Sequence, residues 1–325
     1  MLGRVVLVLS LLWSGAAFPA DLVDATGRTV QLPDTIAHVL PAGPPAAILL
    51  AALAPDLMLG WPSPVPDDTR AMLAAPAASL PQIPRLTGRE DVTAKIRALK
   101  PDLILDYGTV SPRYADLAKA TEQSTGIPTV LLNGSLDEIP HVFRVLGSVL
   151  HRPDRAEVLA GFTEALLALP IRHDAHPKVL YARGADGLTV AAPDTDVTAV
   201  FSRLGWQPVA PDGTGTFRQA TVEAIRALDP DIVVFADPAM RDVAARSDAW
   251  GSLRAVRDGH VLVGPALPFG WIEEPPSINR LLGLAWLSGR DPVTLAALFN
   301  AVVYGHALAP AQLDTVLAGV GSSQH

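Results

Sequence analysis

Seven residues join side chains suited to small-ligand recognition with a place in the chain order where a ligand could be met: Trp61, Arg85, Arg89, Tyr107, Arg183, Trp271 and Arg280. Trp61, Tyr107, Arg183 and Trp271 follow apolar runs, where strands are expected to end. Arg85 and Arg89 lie in a loop that has the right order to overhang those ends. Indole and phenol rings give flat contact at low entropic cost, and a guanidinium offers a bidentate fork to carboxylate, catecholate or oxyanion groups. Such a set recognises the organic shell or the charge of a complex, whereas a naked ion needs a cluster of ligating side chains. Arg280 follows Pro276 and Ser277, where a helix is expected to start, and a helix start offers N–H groups to a small anion. Ordinary alternatives stand beside these readings. An arginine can serve in a surface salt bridge. Trp271 can pack beneath the Pro275-Pro276 turn, and Asn279 with Arg280 can tie that loop to the rest of the chain.

The elements that must position these residues announce themselves by repetition. Residues 96–105 read Ile-Arg-Ala-Leu-Lys-Pro-Asp-Leu-Ile-Leu, and residues 225–234 read Ile-Arg-Ala-Leu-Asp-Pro-Asp-Ile-Val-Val. In each copy a helix must end before the proline, which lacks an N–H and disfavours helical geometry in the preceding residue. The apolar run after each Pro-Asp has the length and branching of a buried parallel strand. Two weaker echoes follow: Gly126–Leu132 with Gly259–Val263, and Leu59-Gly60-Trp61 with Leu204-Gly205-Trp206. The pattern predicts two related α/β lobes with mainly parallel sheets, joined by one long α-helix from Asp154 to about Leu169, with a ligand cleft between the lobes. Asp154 is expected to cap that helix. Further helices are expected over Met240–Val256 and Ser277–Leu287. The expected divisions are 1–20, 21–150, a linking helix in 151–176, and 177–325.

Composition narrows the classes. Charged residues make up 18% of the 325 and hydrophobic ones 49%, which is a globular balance. A net charge of −8 argues against nucleic acid or an anionic membrane as partner. Arg4, the apolar run Val5–Trp13 and the small residues Ser14-Gly15-Ala16-Ala17 have the layout of a cleavable signal peptide, with cleavage after Ala17 or Ala20. The chain has no cysteine, hence no disulfide, thiolate metal site or lipid-bearing cysteine. A soluble, monomeric protein of a Gram-negative periplasm is the expectation, without cofactor. An enzyme would have to use Asp194-Thr195-Asp196 as a metal-binding carboxylate pair, and no nucleophile-elbow, zinc-hydrolase or phosphate-loop spacing accompanies it. A sensor or scaffold that kept the fold without transport is a third class.

Together the doubled helix–Pro-Asp–strand phrase and the segment 269–287, which begins Phe-Gly-Trp-Ile-Glu-Glu-Pro-Pro, resemble the periplasmic substrate-binding proteins of ABC importers for iron–siderophores, heme and corrinoids. A branch of that family concerned with iron or molybdate carries a similar segment. The resemblance implies two lobes joined by one helix, a small-molecule metal chelate as cargo, and a membrane permease as partner. It also implies an acidic docking residue on each lobe, at Glu223 in the second; in the first, where Ala94 occupies the matching position, Glu90 or Asp91 would substitute. The bland reading of Glu223 is an improved helix start. The eight scattered histidines do not match the zinc and manganese binders, and Thr87 stands where heme binders place a tyrosine, leaving Tyr107 as the candidate axial ligand. A ferric siderophore-type chelate is the favoured cargo, with molybdate, tungstate or a corrinoid as alternatives.

Overall fold

The computed structural model describes residues 21–86, 92–171 and 176–318. The signal-peptide reading and Arg89, Glu90 and Asp91 lie outside the described residues.

The first lobe opens on a hairpin, β1 (Asp21–Val23) antiparallel to β2 (Thr29–Gln31). Arg28 ties the hairpin to the lobe through Glu122 and the carbonyl of Thr129. A three-stranded parallel sheet follows, β3 (Val39–Pro41), β4 (Leu103–Gly108) and β5 (Thr129–Asn133), in the order β3-β4-β5. Its helices are α1 (Pro44–Leu53), α2 (Asp67–Arg70), α3 (Thr93–Leu99), α4 (Pro112–Thr125) and α5 (Ile139–Val149). The apolar run before Trp61 forms only two isolated bridges, Val39 with Met58 and Trp61 with Gln82.

Next comes α6 (Pro153–Leu167), the linking helix. Asp154 lies in its first turn and not at its cap, which is Arg152 and makes no side-chain cap bond. Arg155 of this helix donates to the carbonyls of Ala52, at the end of α1, and Val303, far along the chain.

The second lobe holds a six-stranded sheet. Its strands are β6 (Lys178–Arg183), β7 (Thr189–Ala191), β8 (Gln207–Pro208), β9 (Phe217–Gln219), β10 (Ile232–Phe235) and β11 (Val261–Val263), ordered β11-β10-β6-β7-β9 with β8 also on β6. Its helices begin with α7 (Ala199–Arg203) and α8 (Val222–Leu228). The single helix expected over Met240–Val256 is three short ones: α9 (Ala239–Arg246), α10 (Asp248–Gly251) and α11 (Arg254–Arg257). Ser247 adopts extended backbone and accepts from the Trp250 N–H, and this break turns Trp250 edge-on against Phe235, their ring centroids 5.0 Å apart. The chain closes with α12 (Arg280–Leu287), α13 (Pro292–Val303) and α14 (Pro310–Val316).

The doubled phrase has a doubled structure. α3 and α8 both end on a left-handed residue, Lys100 (φ 51°) and Asp229 (φ 45°), directly before the proline. The aspartate after it then aligns the neighbouring strand. Asp102 accepts the N–H groups of Ala37 and His38, and Asp231 accepts that of Lys178, all at 2.8 Å.

Strand side chains alternate between two covered faces, as buried parallel sheets require. Leu103 and Leu105, like Val179, Tyr181, Ile232 and Val234, join one continuous core with α6, α12 and α13. Ile104 and, in the other lobe, Leu180, Val233 and Phe235 face separate outer cores. Both lobes therefore share their inner core across the linking helix, and this places Tyr107 of β4 and Arg183 of β6 on inward faces at the strand ends.

Candidate functional site

A cleft of about 1230 Å³ lies at the carboxyl ends of both parallel sheets, where open α/β folds place ligands. From the first lobe it is lined by Gly43 and Pro44 after β3, by Trp61 and Arg85, and by Tyr107–Thr109 at the end of β4. The second lobe contributes Arg183, Asp196, Phe217, the 266–269 loop and the 273–276 segment with Arg280. Eight of the lining residues are prolines (44, 45, 62, 64, 66, 268, 275 and 276), which gives much of the wall a preset backbone and an apolar surface.

Three groups define its chemistry. Arg183 presents a guanidinium whose carbon stands 3.3 Å from the centroid of the Phe217 ring, and its Nη1 donates to Glu273 Oε1 at 3.2 Å. Burial pushes the Glu273 carboxyl above the ordinary carboxylate range, and the Arg183 charge opposes that rise. Glu274 beside it is also raised, again by burial first. Arg280, 1% exposed, is spent on carbonyls. Its Nε donates to Ser277 O at 3.1 Å, Nη1 to Asp196 O at 2.8 Å, and Nη2 to Gly134 O, so one guanidinium spans the lobes. Tyr107 forms the floor with its ring 2% exposed. Burial raises its phenol to about 12, moderated by the nearby Arg280 charge, so it stays protonated at neutral pH. No hydrogen bond of normal geometry reaches that hydroxyl.

Other bonds link the two lobes: Ser277 Oγ to Pro45 O at 2.8 Å, Thr69 Oγ1 to Pro268 O at 2.9 Å, Arg203 Nη1 to Asp137 Oδ1 at 2.6 Å, and the Thr109 hydroxyl to the Asp196 carboxylate.

This is a cleft between two lobes joined by one helix. A family model described as periplasmic binding protein matches residues 69–267. The chain belongs to that family. Among curated relatives, the vitamin B12-binding protein of Vibrio parahaemolyticus is 25% identical over 187 residues, which is 56% of this chain and 65% of that protein. An uncharacterised ABC transporter substrate-binding lipoprotein of Bacillus subtilis is 26% identical over 176 residues, 51% of this chain and 55% of that protein. The chain thus spans under two thirds of the length of these relatives. An ABC transporter solute-binding protein from Sulfurospirillum deleyianum superposes with a TM-score of 0.80 at 22% identity, covering 91% of this chain and 98% of that one. MolA of Haemophilus influenzae, bound to molybdate, gives 0.70 at 17% identity over 90% and 99%. The two superpositions establish the two-lobed periplasmic binding-protein fold.

The structure brings together Trp61, Arg85, Tyr107, Arg183 and Arg280 at one cleft. It corrects Trp271, which is 1% exposed, donates its Nε1 to Leu267 O at 3.3 Å and packs edge-on against Trp286 at 6.4 Å. The indole supports the loop from behind, which is the packing alternative. Trp61 lines the cleft as a wall, its Nε1 bonded to Ala77 O at 2.9 Å and its ring tilted over Phe269 at 5.7 Å. The expected anion site at a helix start beginning with Pro276 and Ser277 is also corrected. The helix begins at Arg280, and the N–H groups of Arg280, Leu281, Leu282 and Gly283 already bond to Ser277, Ile278, Asn279 and Trp271 carbonyls. Asn279 Oδ1 takes the Ser277 N–H as well.

Phe217, Phe269 and Glu273 escaped the residue-by-residue reading. Phe217 and Phe269 have no motif that marks them, and the Glu-Glu-Pro-Pro run by itself assigns no role to its acids. Glu223 is exposed at the start of α8, where its own N–H and the Thr221 hydroxyl hold its carboxyl below the usual range. Because β9 runs parallel to β6 through β7, that helix start stands at the same end of the sheet as the cleft. Asp194 and Asp196 form no metal group: among the described residues, no three His, Asp or Glu side chains gather into one.

Proposed function

We propose that this chain is the extracytoplasmic substrate-binding protein of an ABC importer, and that it delivers a ferric siderophore-type chelate to a membrane permease. Family membership supports the importer role. One observation supports the cargo: the interlobe cleft of about 1230 Å³, walled by prolines and aromatic rings and carrying Arg183 at its surface. A ligand of a few heavy atoms would leave most of this space as water, whereas a bulky organic shell would bury the apolar wall. The protonated phenol of Tyr107 suits hydrogen bonding to a ligand acceptor and not coordination as a phenolate. Ligand contacts are assigned to Trp61, Arg85, Tyr107 and Arg183, with Arg280 holding the floor. Arg89 is retained as a contact, Glu223 as the second-lobe docking acid, and Glu90 or Asp91 as its first-lobe counterpart.

A corrinoid is the second reading, favoured by the sequence match to a vitamin B12-binding protein. Molybdate loses the helix start that recommended it, since those N–H groups are satisfied internally. Calorimetric titration with a ferric tris-catecholate, a ferric trihydroxamate, cyanocobalamin and molybdate tests the proposal. Saturable binding of an iron chelate at one site supports it; binding of molybdate alone overturns the cargo.

A further inference from the structure

Arg183 is held on two sides and free on a third. It leaves β6 on the same face as Tyr181, which lies two residues earlier. Phe217, from β9, covers the flat face of the guanidinium. Glu273, from the loop after β11, takes Nη1. Among the described residues nothing accepts a hydrogen bond from Nε or Nη2, the side-on edge that makes bidentate bonds, and the side chain is 34% exposed in the cleft. The Glu273 side chain is 3% exposed. Burying a carboxylate is costly, and its bonds to the Arg183 guanidinium and the Tyr181 hydroxyl offset that cost only in part. The pair is therefore a weak device for stability. It is a good one for holding a planar fork at a fixed angle, because the ring removes tilt and the carboxylate removes rotation.

We propose that Glu273 is a positioning residue for ligand recognition, which orients Arg183 so that its Nε–Nη2 edge receives a bidentate anionic group of the ligand, a carboxylate or catecholate. The inference rests on the chelate reading above. Charge alone predicts the reverse effect. Glu273, together with Glu274 beside it, lowers the positive potential at Arg183 and should repel an anion. Orientation and field thus make opposite predictions for the loss of this carboxylate.

The test compares a ferric tris-catecholate, which is anionic, with a ferric trihydroxamate, which carries no net negative charge. Glu273→Ala should weaken tris-catecholate binding about tenfold and leave trihydroxamate binding within about twofold. Glu273→Gln, which keeps an acceptor for Nη1, should restore most of the loss. Phe217→Leu, which keeps the carboxylate and removes the ring face, should produce a smaller loss with the same selectivity. Unchanged or tighter tris-catecholate binding by Glu273→Ala, or an equal loss for both chelates, overturns the proposal. If the wild-type protein binds neither chelate, the cargo reading fails by itself. The arginine side-chain nitrogen resonances of the ligand-free protein then decide the positioning claim. An ordered Arg183 guanidinium that becomes mobile in Glu273→Ala supports it, and the same mobility in both proteins refutes it.

Discussion

Replacing Arg280 by leucine keeps an aliphatic stem and removes all five guanidinium donors. Two carbonyls lose their side-chain partner, Asp196 on the second-lobe side and Gly134 after β5 of the first, while Ser277 O keeps the backbone N–H of residue 280. An orphaned buried acceptor costs about 1–3 kcal/mol. Against the two stands the desolvation of a buried guanidinium, which the leucine no longer incurs and which is worth several kcal/mol. Water in the cleft also reaches part of the exposed backbone. The balance is a loss of about 1–3 kcal/mol, equivalent to a fall in melting temperature of roughly 2–5 °C for a chain of this length. Urea denaturation of the variant measures it, with Thr109→Val as the control. That control removes one exposed bond to Asp196 and should cost less than about 1 kcal/mol. If Arg280→Leu unfolds within about 0.5 kcal/mol of the wild type, the view of Arg280 as the tie between lobes is wrong.

Four further outcomes are expected. Trp271→Ala should destabilise by about 3–5 kcal/mol through the cavity it leaves against Trp286; a large loss of chelate affinity at unchanged stability would return Trp271 to the ligand. Gly283→Ala should be destabilising by differential scanning calorimetry, because the new Cβ would stand 2.3 Å from the carbonyl oxygen of Trp271, and a wild-type melting temperature would show that the loop yields. In acid, Asp231 is held below its ordinary 3.8 by Arg254 and the Lys178 N–H. Its stabilisation is present above that value and lost as pH falls below it, so Asp231→Asn should flatten the acid limb of the stability curve; an unchanged limb would remove Asp231 from the account. Solution scattering should give nearly superimposable profiles with and without a bound ferric chelate, since a single helix, α6, joins the lobes and Arg155 pins it to α1 and α13, whereas a marked drop in radius of gyration would show a mobile clamshell.

Particular residues show what the sequence discloses. Helix α8 and strands β10 and β11 fall on the residues where local signals place them, because proline, the glycine turn and branched apolar runs all agree there. The repeated Pro-Asp was readable as a helix stop. That its aspartate grips the start of the neighbouring strand was not, since Asp102 bonds to a segment 64 residues away. Strand ends disclosed the floor of the cleft, as period-two alternation carries Tyr107 and Arg183 to the inner face. Which way Trp271 turns depends on Trp286 and a loop carbonyl, contacts set by tertiary packing. The helical period over Met240–Val256 was overridden for a like reason, since breaking at Ser247 lets Trp250 reach the outer core. At Ser277–Asn279 the Asn279 side chain takes the Ser277 N–H locally while the Ser277 hydroxyl reaches Pro45 O of the first lobe, and the helix is delayed to Arg280.

The central claim is that one bulky chelate is held between both lobes at the strand ends. Hydrogen-exchange footprinting with and without a ferric tris-catecholate tests it most directly. The account predicts slowed exchange in the same complex at residues 107–109 of the first lobe and at 217–219 and 266–274 of the second. Protection confined to one lobe, or lying away from these segments, would contradict it.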